Sequence, residues 1–291
     1  MKSETSRKNL GFGFYLLLTP VVLWLGLLIV LPHVEMLLIS LRTRVAPQVY
    51  RFSFDNYLEF FVEPLYWHTF ARTALYSLLV TALTLLIAFP IAYYIAKLAR
   101  GRARSVLFIL CLLPFWVSEL VRTLGWMILL RETGIISRAL QLAGLSNQPI
   151  EFLYNDAAMI VGLVYTSLLF MVVPLVTTLE GLDDSLIEAG YDLGGNAFTV
   201  LREIVVPFAM PGIVSGCIVV FMLTLGNYVA ATLLGGKSSL WFTEQIYNQF
   251  ITRFNWEQGS AFGFLLLALS SLIVWAGLKL SGQTLSSTMD R

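Results

Sequence analysis

Five stretches of this sequence carry no charged residue for at least the roughly 20 positions a helix needs to cross a bilayer. They lie between Lys8 and Glu35, Arg72 and Lys97, Asp156 and Glu180, Glu203 and Lys237, and Glu257 and Lys279. A sixth, between Arg104 and Arg131, is interrupted by Glu119 and Arg122, but residues 106–117 and 124–130 on either side are apolar, so it counts as the third span. The stretch after Glu203 exceeds one span, and Pro207 and Pro211 are expected to mark where its helix begins. The run after Lys2, Arg7 and Lys8 is too long for a signal-peptide core and lacks a small-residue cleavage site, so it reads as a retained first helix. Only 13% of residues are charged, about half the share a water-facing domain needs. The expected fold is an all-α polytopic membrane protein of six transmembrane helices. It divides into an N-terminus over residues 1–8, a membrane domain over 9–282 and a tail over 283–291.

Orientation follows from the basic residues. Lys97, Arg100, Arg102 and Arg104 form the densest cluster, which the positive-inside rule places in the cytoplasm. Both termini and the connection between Glu180 and Glu203 then lie on that side. Trp67, Trp241 and Trp256 fall near outer edges, where amphipathic rings suit the interface. Between the first two spans, Phe54, Tyr57, Leu58, Phe61 and Leu65 recur at helical spacing. They predict a short amphipathic helix whose apolar face packs on the bundle or meets an external partner. The net charge of +1 gives no sign of a nucleic-acid partner. Cys111 and Cys217 sit in apolar runs without metal or disulfide spacing, and His33 and His68 lack matching ligands.

The connection between the fourth and fifth spans is long and patterned. Ser185 and Glu188 have capping-box spacing, Asp183 and Asp184 suit a helix N-terminus, and Gly194-Gly195 suits its end. A second short helix is expected from about Ala197 to Pro207. Residues 183–207 thus read as a two-helix knob.

Glu188-Ala189-Gly190, then Gly194, Ile204 and Val206-Pro207 resemble the "EAA" loop of bacterial binding-protein-dependent ABC importer permeases. That pattern is Glu-Ala-Ala, three residues, Gly, nine residues, Ile, one residue, Leu-Pro. Every interval matches, with Gly190 in place of Ala and Val206 in place of Leu. Asp55-Asn56-Tyr57, Pro64-Leu65-Tyr66, Leu113-Pro114-Phe115-Trp116 with Arg122, Gly162-Leu163-Val164-Tyr165, Phe170-Met171-Val172 with Pro174, and Met210-Pro211-Gly212-Ile213 are similar to the spermidine/putrescine-type branch. The resemblance implies a bacterial inner-membrane permease working with a second permease subunit, two ATPase subunits and a periplasmic solute-binding protein. It also implies that Glu188, Ala189, Gly190, Gly194, Ile204 and Pro207 couple to the ATPase. Gly235-Gly236-Lys237-Ser238 only superficially resembles a phosphate loop, since Ala231 stands where glycine is required. No cofactor is therefore expected in this chain, and ATP and magnesium belong to the partner ATPase.

Glu119 and Arg122 lie within an apolar span, where a charge costs at least ~2.5–3.5 kcal/mol and so faces the bundle interior. They either neutralise each other or line the solute path. Trp116, Glu119, Thr123 and Trp126 fall on one helix face, and aromatic rings beside a carboxylate suit a cation. Tyr165, Asn227 and Tyr228 are further candidates for the path or for interhelical hydrogen bonds. The expected solute is a small organic nitrogen compound, a polyamine or, through Arg122, an opine- or amino-acid-like molecule. A proton-coupled secondary transporter using Glu119 is the alternative from another class. An enzyme is not expected, because no nucleophile has a base beside it.

Overall fold

A computed structural model describes residues 12–46, 49–236 and 239–280. The expected terminal segments 1–8 and 283–291, and Lys237 and Ser238, lie outside the described residues. Helix α1 covers residues 12–40, in which Phe12–Leu25 passes through a π-turn, Gly26–Val30, into Leu31–Ser40. A hairpin of β1 (Arg42–Ala46) and β2 (Val49–Phe52) leads to α2 (Asp55–Val62) and α3 (Pro64–Leu98). Then come α4 (Arg102–Leu112), α5 (Glu119–Leu130), α6 (Ile135–Leu142) and α7 (Asp156–Glu180). The remainder is α8 (Asp184–Asp192), α9 (Ala197–Leu225), α10 (Val229–Gly235), α11 (Phe242–Tyr247) and α12 (Trp256–Leu280).

Helices α1, α3, α7, α9 and α12 are each long and apolar enough to cross a membrane. The expected third span is not one helix. Segments Arg102–Trp116 and Glu119–Leu142 meet at 94°, and they make a sixth span only as a bent pair. Pro114 opens a 3-10 turn over Leu113–Trp116, Val117 is extended, and Ser118 caps α5 by accepting from the Val121 amide. A proline cannot donate to the preceding turn, and here the chain breaks fully rather than kinking.

The helix entering the fifth span also departs from expectation. It starts at Ala197 and runs unbroken to Leu225, so Pro207 neither ends a short helix nor begins the span. A π-turn at Leu201–Val205 ends two residues before Pro207, just as Gly26–Val30 ends two residues before Pro32. The proline ring collides with the carbonyl four residues back in a regular α-helix. A wider turn at that point lets the helix continue.

Helix α7 is the centre of the bundle, packed against α3 and α9, with Met159, Leu163, Met171, Leu175 and Leu179 sealed from solvent. Small residues allow the approach: a Cβ on Gly212 of α9 would stand 2.7 Å from the Pro174 carbonyl oxygen of α7. Thr69, Thr73 and Thr81 line a buried face of α3, and each hydroxyl donates to its own helix four residues back. Their polarity is thereby spent locally, except that Thr73 Oγ1 also accepts from the Phe242 amide at 3.0 Å. The Leu31–Ser40 part of α1 packs on the outside against α12, and the apolar side chains from Leu16 to Leu31 are largely exposed.

The hairpin was not foreseen. Arg42 pairs with Phe52 and Arg44 with Tyr50, with a bulge between Arg44 and Ala46. Helix α2 forms as expected but turned over. Asn56 and Phe60 face inward, and Phe54, Leu58, Phe61 and Leu65 are exposed. The Asn56 side chain decides this, donating to the carbonyls of Ser40 and Arg42, 3.0 Å each. Trp241 is only 1% exposed, in the core beside Met159 and Val80, and is no interface residue; Trp67 and Trp256 are exposed.

Candidate functional site

Two helix breaks meet inside the bundle. One is the break before α5; the other is the gap between α9 and α10, where Gly226-Asn227-Tyr228 leaves the helix. Between them lies a cavity of about 460 Å³. Phe115, Glu119 and Arg122 line it from the first break, Asn227 and Tyr228 from the second, and Thr166, Ser167 and Phe170 from α7. Non-helical backbone at membrane depth is tolerated where it is covered by protein or lines a cavity. The second break follows that rule through Gly226, Asn227 and Tyr228, whereas at the first only Phe115 lines the cavity and Trp116, Val117 and Ser118 are exposed.

Glu119 is held by a neighbour that fixes its direction. Asn227 Oδ1 accepts from the Ala230 amide at 2.9 Å, and its own carbonyl accepts from Thr243 Oγ1 at 2.9 Å. With the amide oxygen committed, Nδ2 donates to Glu119 Oε1. Glu119 also occupies the first turn of α5, where the helix dipole favours negative charge. The expected pairing with Arg122 is absent. No ion pair joins the two among the described residues, and Arg122 Nε is buried without a hydrogen-bond partner.

Of the four-residue face read from the sequence, Glu119, Thr123 and Trp126 stay together on α5, after the break. Trp116 precedes it and is 81% exposed. Thr123 is buried away from the cavity. Trp126 meets Tyr165 edge to face at 5.5 Å and packs with Leu130 and Leu153, so neither ring lines the cavity. Tyr228 does, stacked on Tyr247 at 4.8 Å. Sequence reasoning missed Thr166, Ser167 and Phe170, which lie on the cavity side of a span apolar all round. It also missed the pair Phe115–Phe170, 5.7 Å apart edge to face, which separates this cavity from an apolar one of about 400 Å³ lined by Val173, Pro174 and Val219. Among the described residues no His, Cys, Asp and Glu cluster is arranged to hold a metal.

At the end of the bundle where Glu180 lies, α8 projects with Glu188 and Ala189 exposed and Gly190 half-buried. The expected capping box does not form. Asp183 is the N-cap, its Oδ1 accepting from the Ser185 amide at 2.9 Å. That backbone hydrogen bond, with help from the Ser185 side chain and Lys97, lowers the Asp183 carboxyl below its usual range. Gly194 ends the turn at φ +83°, a conformation other residues resist. Gly190 has a packing role: a Cβ there would stand 2.6 Å from Ile204 Cδ1 and 3.2 Å from Val200 Cγ2. Its bareness seats α8 against α9. Ile204 is half-buried in that contact, and Pro207 is exposed. Leu193, 89% exposed, and Phe198, 69% exposed, stand out from the knob and touch no core. Neither was singled out from the sequence.

The family model described as "Binding-protein-dependent transport system inner membrane component" matches residues 85–281. The chain is 35% identical over 254 residues to the spermidine/putrescine transport system permease protein PotB of Haemophilus influenzae, covering 87% of this chain and 88% of that one. It is 32% identical over 269 residues to PotB of Escherichia coli K12, covering 91% and 97%. Among solved structures, a bacterial ABC transporter that imports the acidic polysaccharide alginate superposes with a TM-score of 0.69 at 18% identity, covering 92% of this chain and 94% of the other.

Proposed function

The chain belongs to the inner membrane components of binding-protein-dependent transport systems, and from that premise we propose that it forms half of a pathway importing an organic cation of the polyamine class. Its membership makes it a multi-pass permease of the bacterial inner membrane and a transporter subunit rather than an enzyme. It works with a binding protein. The proton-coupled alternative therefore falls away, and Glu119 is free for another role.

The observation that carries the cargo reading is the Glu119 carboxylate, oriented by Asn227 into a cavity that also presents Phe115, Phe170 and Tyr228. A carboxylate and ring faces are what an ammonium group meets favourably. The relatives named for spermidine and putrescine point the same way. A solute bearing a carboxylate as well as an amine is the second reading, favoured by Arg122, whose Nε lacks a partner among the described residues.

In this account the end of the bundle holding Lys97, Arg104 and α8 faces the cytoplasm, with both termini. A second permease completes the pathway. Of two ATPase subunits, which hold ATP and magnesium, one docks on residues 183–207 of this chain. The exposed Leu193 and Phe198 beside Glu188 support that docking face. Nucleotide then biases two states of the bundle; turning a 1:99 balance into 99:1 needs about 5.5 kcal/mol of differential affinity.

The test is uptake of labelled spermidine by cells carrying the complete transporter with Glu119→Gln. Replacing a charged acceptor by a neutral one loses about 1–1.5 kcal/mol, so half-maximal uptake should need roughly tenfold more solute. Unchanged uptake by inserted protein would remove Glu119 from the cargo site.

A further inference from the structure

Lysine is rarely buried without a specific partner, and Lys97 is a buried lysine whose side chain is only 8% exposed. It lies in the π-turn Tyr94–Leu98 that ends α3. Its ammonium donates to the Leu182 carbonyl and, at 2.9 Å, to Asp184 Oδ1. Leu182 is itself buried, in the short link between α7 and α8, and Asp184 is the first residue of α8. A single side chain of one span thus grips the root of the projecting helix.

The other end of α8 is fastened differently. Gly190 lets Ile204 and Val200 lie against it, and both belong to the stretch that runs through the second π-turn, Leu201–Val205, into α9. So α8 has two anchorages, polar on α3 and apolar on α9, and each anchoring helix carries a π-turn at that level. Single π-turns recur at functional sites within helices. Arg104 of α4 pairs with Glu180 at the end of α7, but that contact is made by exposed side chains and holds α7, not α8.

We propose that Lys97 is the positioning residue that passes movement of α8 into α3, so that displacement of the projecting helix reaches the span packed along the cavity-lining α7 and not only α7 itself. The inference rests on the coupling role proposed above for residues 183–207. The apolar contact on α9 has no preferred direction, whereas the Lys97 ammonium holds the Leu182 carbonyl and the Asp184 carboxylate together at fixed positions. Lys97 is not a catalytic or cargo-binding residue; it acts through α8.

The test uses the complete transporter in proteoliposomes, with binding protein and labelled spermidine, reading uptake and ATP hydrolysis in the same sample. With Lys97→Met, the solute moved per ATP hydrolysed should fall about tenfold, within the 5–150-fold span of allosteric couplings. Lys97→Arg, which keeps charge and donors, should restore most of the ratio. A wild-type ratio in Lys97→Met overturns the proposal. Lys97→Gln, which keeps an N–H donor for Leu182, serves if the methionine variant does not assemble, and should give an intermediate ratio. Failure of both to assemble would make Lys97 a folding residue and also overturn it. Glu188→Lys separates the two levels. If it uncouples while Lys97→Met does not, only the Lys97 proposal fails; if it couples normally, the docking reading fails with it.

Discussion

Leu193→Asp is expected to abolish assembly with the ATPase subunits, and ATP-driven uptake with it, while the chain still folds and inserts. Leu193 follows the last turn of α8 at 89% exposure, so its replacement removes no core contact. Docked in an apolar groove, a leucine contributes about 1.5–3 kcal/mol through burial. An aspartate there also has to lose its water, at a cost of several kcal/mol more. A combined loss of about 4 kcal/mol weakens binding roughly a thousandfold. Phe198→Asp, at the second exposed apolar position, should act the same way. Recovery of tagged ATPase subunits from solubilised membranes measures the effect. Wild-type recovery with both variants would place the docking face elsewhere on the chain.

The second large effect is expected at Gly212. Its missing side chain is what lets α9 lie on α7: a Cβ would stand 2.6 Å from Thr178 Oγ1, 2.7 Å from the Pro174 carbonyl oxygen and 2.9 Å from Thr178 Cβ. The carbonyl is backbone and cannot turn aside. Thr178 is also committed, donating to that same carbonyl at 2.9 Å. Overpacking a tight core costs about 1–3 kcal/mol for a few added atoms. Gly212→Ala should therefore lower the unfolding temperature clearly, and Gly212→Leu should leave little folded protein. Membrane abundance and thermal unfolding in detergent read this. Gly125, with nothing within 4 Å of its hypothetical Cβ, is the control, and Gly125→Ala should be neutral or mildly stabilising.

Much of this fold was legible because charge and membrane thickness act over whole segments. Gaps between charges located five spans, and Gly194 located the end of α8 through its left-handed backbone. What failed were features set by contacts between distant segments. Pro114 disfavours a straight helix, but only packing decides between a kink and a 94° break. Pro207 looks like a helix stop until a π-turn relieves its clash. The apolar face of α2 pointed outward because Asn56 found two carbonyls from the end of α1 and the hairpin, a contact no periodicity encodes. The site shows the same division. Glu119, Arg122, Asn227 and Tyr228 were visible as polar or aromatic groups where lipid forbids idle ones, and they meet at one cavity. Trp116 was placed beside them by a helical face that the break cuts, while Thr123 and Trp126 share α5 with Glu119 and, like the separately chosen Tyr165 of α7, pack away from the cavity. Lys97 was read as one cation of a basic cluster, its burial invisible without the fold.

The most direct test of this account is spermidine uptake into proteoliposomes that contain the chain, its partner permease, the ATPase subunits and the binding protein. The account predicts uptake that requires ATP, stops when the ATPase is inactivated, and stops equally when Leu193→Asp prevents docking. Uptake continuing at the same rate with an inactive ATPase, or with Leu193→Asp in place, would contradict it.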